Sequence, residues 1–206
     1  MSLRYHDPRA FLGLPRSRSD GLEGFLPGDP IALYSDGTVS PDLTQVAAAL
    51  IVAEGRVRQS FYSTRTIQVG ALAGSEEGSA PSGALLSSLE AELLGIWMAT
   101  EFAVRAKGGV VIHGDHRPLL SALSGLSGLS GVRGTGRGAK IPKRLKGDPM
   151  LSQVVVNLRE LSGRVGLQHG NDRHEPDIRI AHDHSRAAIR GRPQGSPFEA
   201  VVLNRR

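Results

Sequence analysis

The sequence predicts an α/β fold: a five-stranded mixed sheet with helices on both faces. Three observations predict it. Three apolar strands come first, and a tight turn joins the second to the third. One long amphipathic helix follows them. Short apolar strands then alternate with helices, and such crossovers make parallel neighbours in a sheet that began as a hairpin.

The elements follow in order. Ile31–Ser35 is a short apolar strand. Thr44–Ala53 (TQVAAALIVA) is a second, and Glu54-Gly55 makes the turn. Arg56–Val69 alternates polar and apolar residues as a third strand, completing a hairpin. Residues 70–84 are a loop of Gly, Ser, Ala and Glu. Leu85–Lys107 is the strongest helix, with Leu89, Leu93, Ile96, Trp97, Thr100 and Val104 at helical spacing. Gly108-Gly109 ends it. Val110–His113 is a fourth strand, and Pro118–Leu123 a short helix with proline in its first turn. Pro149–Leu161 is a helix with Asp148 as N-cap. Arg164–Gln168 is the fifth strand, and Glu175–Arg190 the last helix.

The 206 residues suit one domain, residues 30–190, with an irregular basic arm (1–29) and a tail (191–206). Between them, residues 124–147 form a Gly-, Arg- and Lys-rich segment expected to be a mobile loop. No run approaches the roughly 18 apolar residues that span a bilayer, and the N-terminus has no signal-peptide core. A cytoplasmic protein without membrane partners is expected. The absence of cysteine excludes disulfides and thiolate metal sites. The net charge of +5 suits an anionic partner. Arginine dominates the 25 basic residues, and its planar fork suits phosphate.

Three acids stand out. Asp36 lies in Tyr34-Ser35-Asp36-Gly37-Thr38, at the end of the first apolar run. Glu92 lies in the long helix, and Asp115 follows the fourth strand in Val110-Val111-Ile112-His113-Gly114-Asp115. Two strand ends and one helix can bring three carboxylates together around divalent metal. Crowded carboxylates repel unless a cation neutralises them, so such a cluster is costly to keep for structure alone. Each has a plainer reading. Asp36-Gly37 is a common turn dipeptide, Glu92 suits a solvated helix face, and Asp115 suits a helix cap. At 100° per residue, with Leu89 at 0°, Glu92 falls near about −60° and Glu90 near about 100°. Both flank the apolar stripe, so periodicity does not choose between them.

Four motifs in this order resemble the ribonuclease H family over about residues 30–190. Tyr34-Ser35-Asp36-Gly37-Thr38 looks like its first-strand motif, Ala91-Glu92-Leu93 like its helix motif, and Val110 to Asp115 like its fourth-strand motif. Ala181-His182-Asp183-His184-Ser185-Arg186-Ala187 looks like its final helix. The resemblance selects Glu92 over Glu90. It implies that two Mg²⁺ or Mn²⁺ ions, roughly 4 Å apart, serve phosphodiester hydrolysis. Asp36 would bridge both ions, Glu92 and Asp115 would share one, and His182 or Asp183 would complete the other. The chain departs from the family in having His116 after the fourth-strand acid, and His182 at the usual final acid. One residue on a helix turns a side chain by about 100°, so His182 and Asp183 do not fill one place.

His169, just after the fifth strand, is placed by the resemblance to shuttle a proton, with His174 second. A surface role suits each of these histidines equally. Zinc held by His182 and His184 is a weaker option, because a two-residue spacing splays the rings apart. Arg133, Arg137, Lys140, Lys143, Arg144 and Lys146 would contact phosphates largely without regard to sequence. A solvated linker is the plainer reading of that loop. The expectation is a two-metal endonuclease acting on the RNA strand of an RNA–DNA hybrid. The alternatives are a non-catalytic nucleic-acid-binding module and an assembly subunit on the same fold; protein partners are left open.

Overall fold

In a computed structural model, residues 30–66, 86–129, 143–171 and 173–198 are described. The expected arm at 1–29 and Arg133, Arg137 and Lys140 lie outside them. The strands are β1 (Ile31–Val39), β2 (Gln45–Glu54), β3 (Val57–Thr66), β4 (Val110–Gly114), β5 (Val165–His169) and β6 (Ser196–Pro197). The helices are α1 (Ser88–Arg105), α2 (Arg117–Ser127), α3 (Pro149–Glu160) and α4 (Pro176–Ile189). The sheet order is β5-β4-β1-β2-β3-β6. β1, β2 and β3 are antiparallel, whereas β4 and β5 run parallel to β1, as crossovers through helices require.

Gly55, at φ 57°, supplies the left-handed backbone that closes the β2–β3 hairpin. α1 opens on a capping box, in which the Ser87 backbone N–H donates to Glu90 Oε2 at 2.9 Å. Asp148 caps α3 by accepting from the Met150 N–H at 2.7 Å, as predicted.

β2 runs at the centre and is buried on both faces. Val46, Ala48, Leu50 and Val52 join Ile31 and Leu33 of β1 beneath Leu93, Ile96 and Phe102 of α1. Full burial of one such aliphatic side chain is worth about 1.5–3 kcal/mol. On the other face Ala49, Ile51 and Tyr34 meet Ala181 of α4. The strand period of two thus sends Ser35 and Gly37 toward α1, and Tyr34 and Asp36 toward α4.

Four boundaries differ from expectation in ways that bear on the loop, the tail or the site. β1 continues four residues past Ser35, because its hairpin with β2 stays paired through Asp36↔Ala49 to Val39↔Val46. α2 extends to Ser127, so the expected loop at 124–147 starts inside a helix. The Ser127 hydroxyl donates to the Leu123 carbonyl, and Gly128, at φ 73°, ends the helix. At the other end of that loop, Lys143–Leu145 is a 3-10 turn containing Arg144. The tail read from residue 191 contains the two-residue β6, paired parallel to β3, and Phe198 packs edge-on against Phe61 and Trp97. Among the described residues, no helix is long and apolar enough to cross a membrane.

Candidate metal centre

The parallel ladder between β1 and β4 stops at Ser35↔Gly114, while the antiparallel ladder with β2 continues. Asp36 therefore lies on a rigid, paired strand just past the end of β4. A crevice outside the carboxyl ends of parallel strands is where open α/β sheets place ligands. Asp115 leaves β4 at the same edge. Its neighbour His116 caps α2, Nδ1 accepting from the Leu119 N–H at 3.1 Å. The capping role considered for Asp115 is thus filled by His116, and Asp115 stays exposed at the crevice.

Glu92 comes from α1 because the helix sits against β1 with almost no gap. A Cβ on Gly37 would lie 2.2 Å from the Ala91 carbonyl carbon and oxygen. Glycine is the residue that permits this approach. Gly95, one turn on, lies over Ser35, where a Cβ would come within 3.2 Å of the serine Cβ. The approach lets the Gly37 backbone N–H bond the Glu92 carboxylate. Glu90 points into the capping box, so the two glutamates that the helical wheel left equivalent have separate positions.

Ligand oxygens of Asp36, Glu92 and Asp115 all lie within 4.8 Å of one another. Asp36 and Glu92 are buried, at 2% and 7% exposure. Burial, followed by repulsion from Asp115, pushes the Asp36 carboxyl up to about 6. Burial, then Asp36, then Asp115, raise Glu92 well above the usual carboxylate range. Closely spaced acids held away from water favour protons or cations over free charge. An all-oxygen donor set fits hard divalent cations such as Mg²⁺ or Mn²⁺. The cluster can coordinate a divalent metal.

α4 closes the other side. His182 Nδ1 lies 3.2 Å from Asp36 Oδ2, and the Ser185 hydroxyl donates to the same oxygen at 2.9 Å. A hydrogen bond from Nδ1–H to Asp36 leaves Nε2 with a free lone pair. Asp183, one residue on, is exposed. His184 faces β3, its Nδ1 2.6 Å from the Ser60 hydroxyl, so His182 and His184 do not share a site. His169 Nε2 meets the Asp115 carbonyl at 2.9 Å, which places that ring at the crevice. His174 is exposed. Lys143 and Lys146 are also exposed.

Two parts of the centre escaped sequence reasoning. Ser185 was legible only as part of the final-helix motif; its i+3 spacing from His182 puts both on one face of α4. A second pair, buried His113 and half-buried Glu175, left no sequence signal. His113 Nδ1 lies 3.1 Å from Glu175 Oε2, with Tyr34 stacked on the His113 ring at 4.4 Å between centroids. This contact joins β4 to the start of α4.

No protein-family model and no curated protein sequence matches the chain. Solved structures do. An N-terminal RNase H domain from Mycobacterium tuberculosis, determined as a fusion with maltose binding protein, is 14% identical, with a TM-score of 0.51 over 79% of this chain and 97% of that one. LC9-RNase H1, described as a type 1 RNase H with the type 2 active-site motif, is 16% identical, with a TM-score of 0.50 over 86% of this chain and 80% of that one. A foamy viral protease–reverse transcriptase, solved in complex with RNA/DNA hybrid, is 13% identical, with a TM-score of 0.52 over 85% of this chain but 22% of that one. At these identities the likeness is one of architecture, and the architecture of this chain is ribonuclease H-like.

Proposed function

We propose that this chain is a divalent-metal-dependent endonuclease that hydrolyses the RNA strand of RNA–DNA hybrids. The observation that carries the reading is the convergence of Asp36, Glu92 and Asp115 at the end of β4, with His182 on Asp36. Asp36, Glu92, Asp115 and His182 would hold two ions, Mg²⁺ or Mn²⁺. Bound there, the ions supply an activated water and neutralise the leaving oxygen.

The chain's own residues prepare that chemistry. Ser185 and His182 fix one oxygen of Asp36, and the Gly37 N–H fixes Glu92. The acids are thus oriented before any ligand arrives, which reduces the reorganisation needed at reaction. His169 donates from Nε2 to the Asp115 carbonyl and keeps Nδ1 to accept a proton. Asp183, exposed on the neighbouring helix face, has no part in this arrangement. Hybrid specificity rests on the ribonuclease H resemblance and on the foamy viral structure solved with a hybrid.

The test is cleavage of an end-labelled RNA–DNA hybrid by the full chain in Mg²⁺ and in Mn²⁺, beside Asp36→Asn. Wild type should cut the RNA strand, and the variant should lose at least about 100-fold, more than the loss typical of residues that only orient metal ligands. Intact hybrid in both metals, with hybrid binding retained, would replace the enzyme by a non-catalytic binding module.

A further inference from the structure

Glu175 stands at the start of α4, where it is the N-cap residue with Pro176 next. Its carbonyl accepts from the Ile178 and Arg179 N–H groups at 3.1 and 3.3 Å, so its place sets where the helix begins. Its side chain makes no capping bond, and glutamate is not among the residues that this position favours. The carboxylate goes to β4 instead, where Oε2 lies 3.1 Å from His113 Nδ1. Both atoms are buried, and neither has another hydrogen-bond partner among the described residues. Tyr34 stacks on the same His113 ring.

The same carboxylate lies against the turn that follows β5. A Cβ on Gly170 would come within 2.8 Å of Glu175 Oε2 and 2.3 Å of Ile178 Cδ1, so this turn rests on the Glu175 side chain and on the start of α4. The Asn171 carbonyl closes the turn by accepting from the His174 and Glu175 N–H groups at 2.9 and 2.8 Å. Two further bonds reach the end of β4. The Gly170 N–H donates to the Gly114 carbonyl at 2.9 Å, and His169 Nε2 meets the Asp115 carbonyl at 2.9 Å. The contacts make a closed ring, from His113 to Glu175, from Glu175 to Gly170, and from Gly170 back to Gly114. Asp115 is the next residue along the chain from that ring.

We propose that Glu175 is a positioning residue for the acidic cluster. Wedged between His113 and Gly170, its carboxylate sets the height of the β5–α4 turn over β4. That turn holds the carbonyls of Gly114 and Asp115, and so the direction in which the Asp115 carboxylate leaves the strand. Asp36 is oriented by Ser185 and His182, and Glu92 by the Gly37 N–H. Asp115 is exposed, and its backbone is what the ring holds. Glu175 touches no reacting group and acts through these neighbours. The inference rests on the metal-dependent reading of the cluster.

The experiment titrates Mn²⁺ into the full chain by calorimetry, without nucleic acid, and follows exchange of the Gly170 amide by NMR. Glu175→Ala should weaken Mn²⁺ binding about 10-fold, the low end for groups that orient metal ligands, and the Gly170 amide should exchange faster. Glu175→Gln should recover most of the affinity, because its amide oxygen still accepts from His113. Arg58→Ala is the control. It frees Asp177 near the same end of α4 without touching the β5–α4 turn, so Mn²⁺ affinity should hold. A role in stability alone predicts a lower urea midpoint for Glu175→Ala with wild-type Mn²⁺ affinity. That result would overturn the proposal, as would equal losses in Glu175→Ala and Arg58→Ala. Should Glu175→Ala not fold, His113→Phe decides, since it keeps a ring on Tyr34 and removes Nδ1. The same loss is expected there, and wild-type affinity in it refutes the role. Hybrid cleavage separates this from the nuclease reading. A chain that cuts hybrid, with Mn²⁺ affinity unchanged in the variant, refutes the positioning role alone. A chain that never cuts, yet loses Mn²⁺ affinity in the variant, refutes the nuclease alone. Wild type that binds no Mn²⁺ refutes both.

Discussion

The two faces of the sheet hold the acidic cluster by different means. The α1 face is a deep aliphatic core, and its helix sits so close to β1 that Gly37 has no room for a Cβ. The α4 face is thin. Ile178, Ala181, Ser185 and Ala188 are the buried residues of α4, and much of its attachment is polar. Arg58 holds Asp177, His113 meets Glu175, and Ser185 and His182 hold Asp36. Glu92 therefore stands on a packed platform, whereas His182 stands on a helix docked by polar contacts. Rigid support is bought for one corner by core volume, while the other depends on hydrogen bonds whose net worth is about 0.5–1.5 kcal/mol each.

The largest effect should come from breaking the packed side. Gly37→Ala forces the backbone of α1 away from β1. Overpacking of this kind costs about 1–3 kcal/mol or more, read as a lower urea midpoint at unchanged m. It should also remove cleavage by the displacement of Glu92. If Gly37→Ala unfolds at the wild-type midpoint, the close approach is not a constraint.

On the α4 side the expected loss is smaller in stability and more selective in function. His182→Ala should lower cleavage and Mn²⁺ affinity by at least about 10–100-fold, the loss typical of residues that only orient metal ligands. Asp183→Ala should stay within about twofold. Equal behaviour of the two variants would remove α4 from the site.

The crowded acids give a pH signature. Asp36 titrates at about 6 in the folded chain against an ordinary value of 3.8, a difference of about 2 units. The folded state then binds more protons than the unfolded state between about pH 4 and 6. Stability of the metal-free chain is full below that window and falls as pH rises through it, by roughly 2–3 kcal/mol at about 1.36 kcal/mol per unit. Glu92, also raised, acts with the same sign. Mg²⁺ should recover the loss above pH 6, and Asp36→Asn should flatten the profile. Urea titrations across pH 4–8, with Mg²⁺ or EDTA, decide this. A stability that rises through pH 4–6 in EDTA would contradict the raised carboxyls.

Ser185→Ala should have the smallest effect. It removes a hydrogen bond that favours the ionised Asp36, so that carboxyl should titrate still higher. Metal affinity should fall a few-fold near pH 6 and recover by pH 8. Carboxyl titration followed by NMR reads the shift directly. An Asp36 titration unchanged in the variant would show that the serine does not tune the acid.

The comparison of faces also explains what was legible beforehand. The hairpin turn at Gly55, the long amphipathic helix and the Asp148 cap are local patterns, and the structure has them where the residues predict. Glu90 and Glu92 were not separated by periodicity, and the resemblance selected Glu92; the capping box that occupies Glu90 appears in the structure. β1 was cut short at Ser35 because the apolar run ends there, and only pairing with β2 keeps the Asp36-Gly37 backbone extended. The serine-glycine repeat concealed the last turn of α2, which is held by serine hydroxyls bonded back to the helix. Nothing local announced His113 and Glu175, whose contact spans separate elements.

By itself the sequence determined the order and type of the main elements, the lack of any thiolate chemistry and the identity of three acids suited to a hard cation. Those properties depend on local periodicity and on side-chain type, which a single chain displays directly. The tertiary structure alone decided that Asp36 lies within a paired strand and that Glu92 reaches it past Gly37. It alone set His182, and not Asp183, beside Asp36. Each of these depends on where one element stops against another, by a residue or a few tenths of a nanometre. Packing across the sheet sets that distance, and no pattern along the chain encodes it.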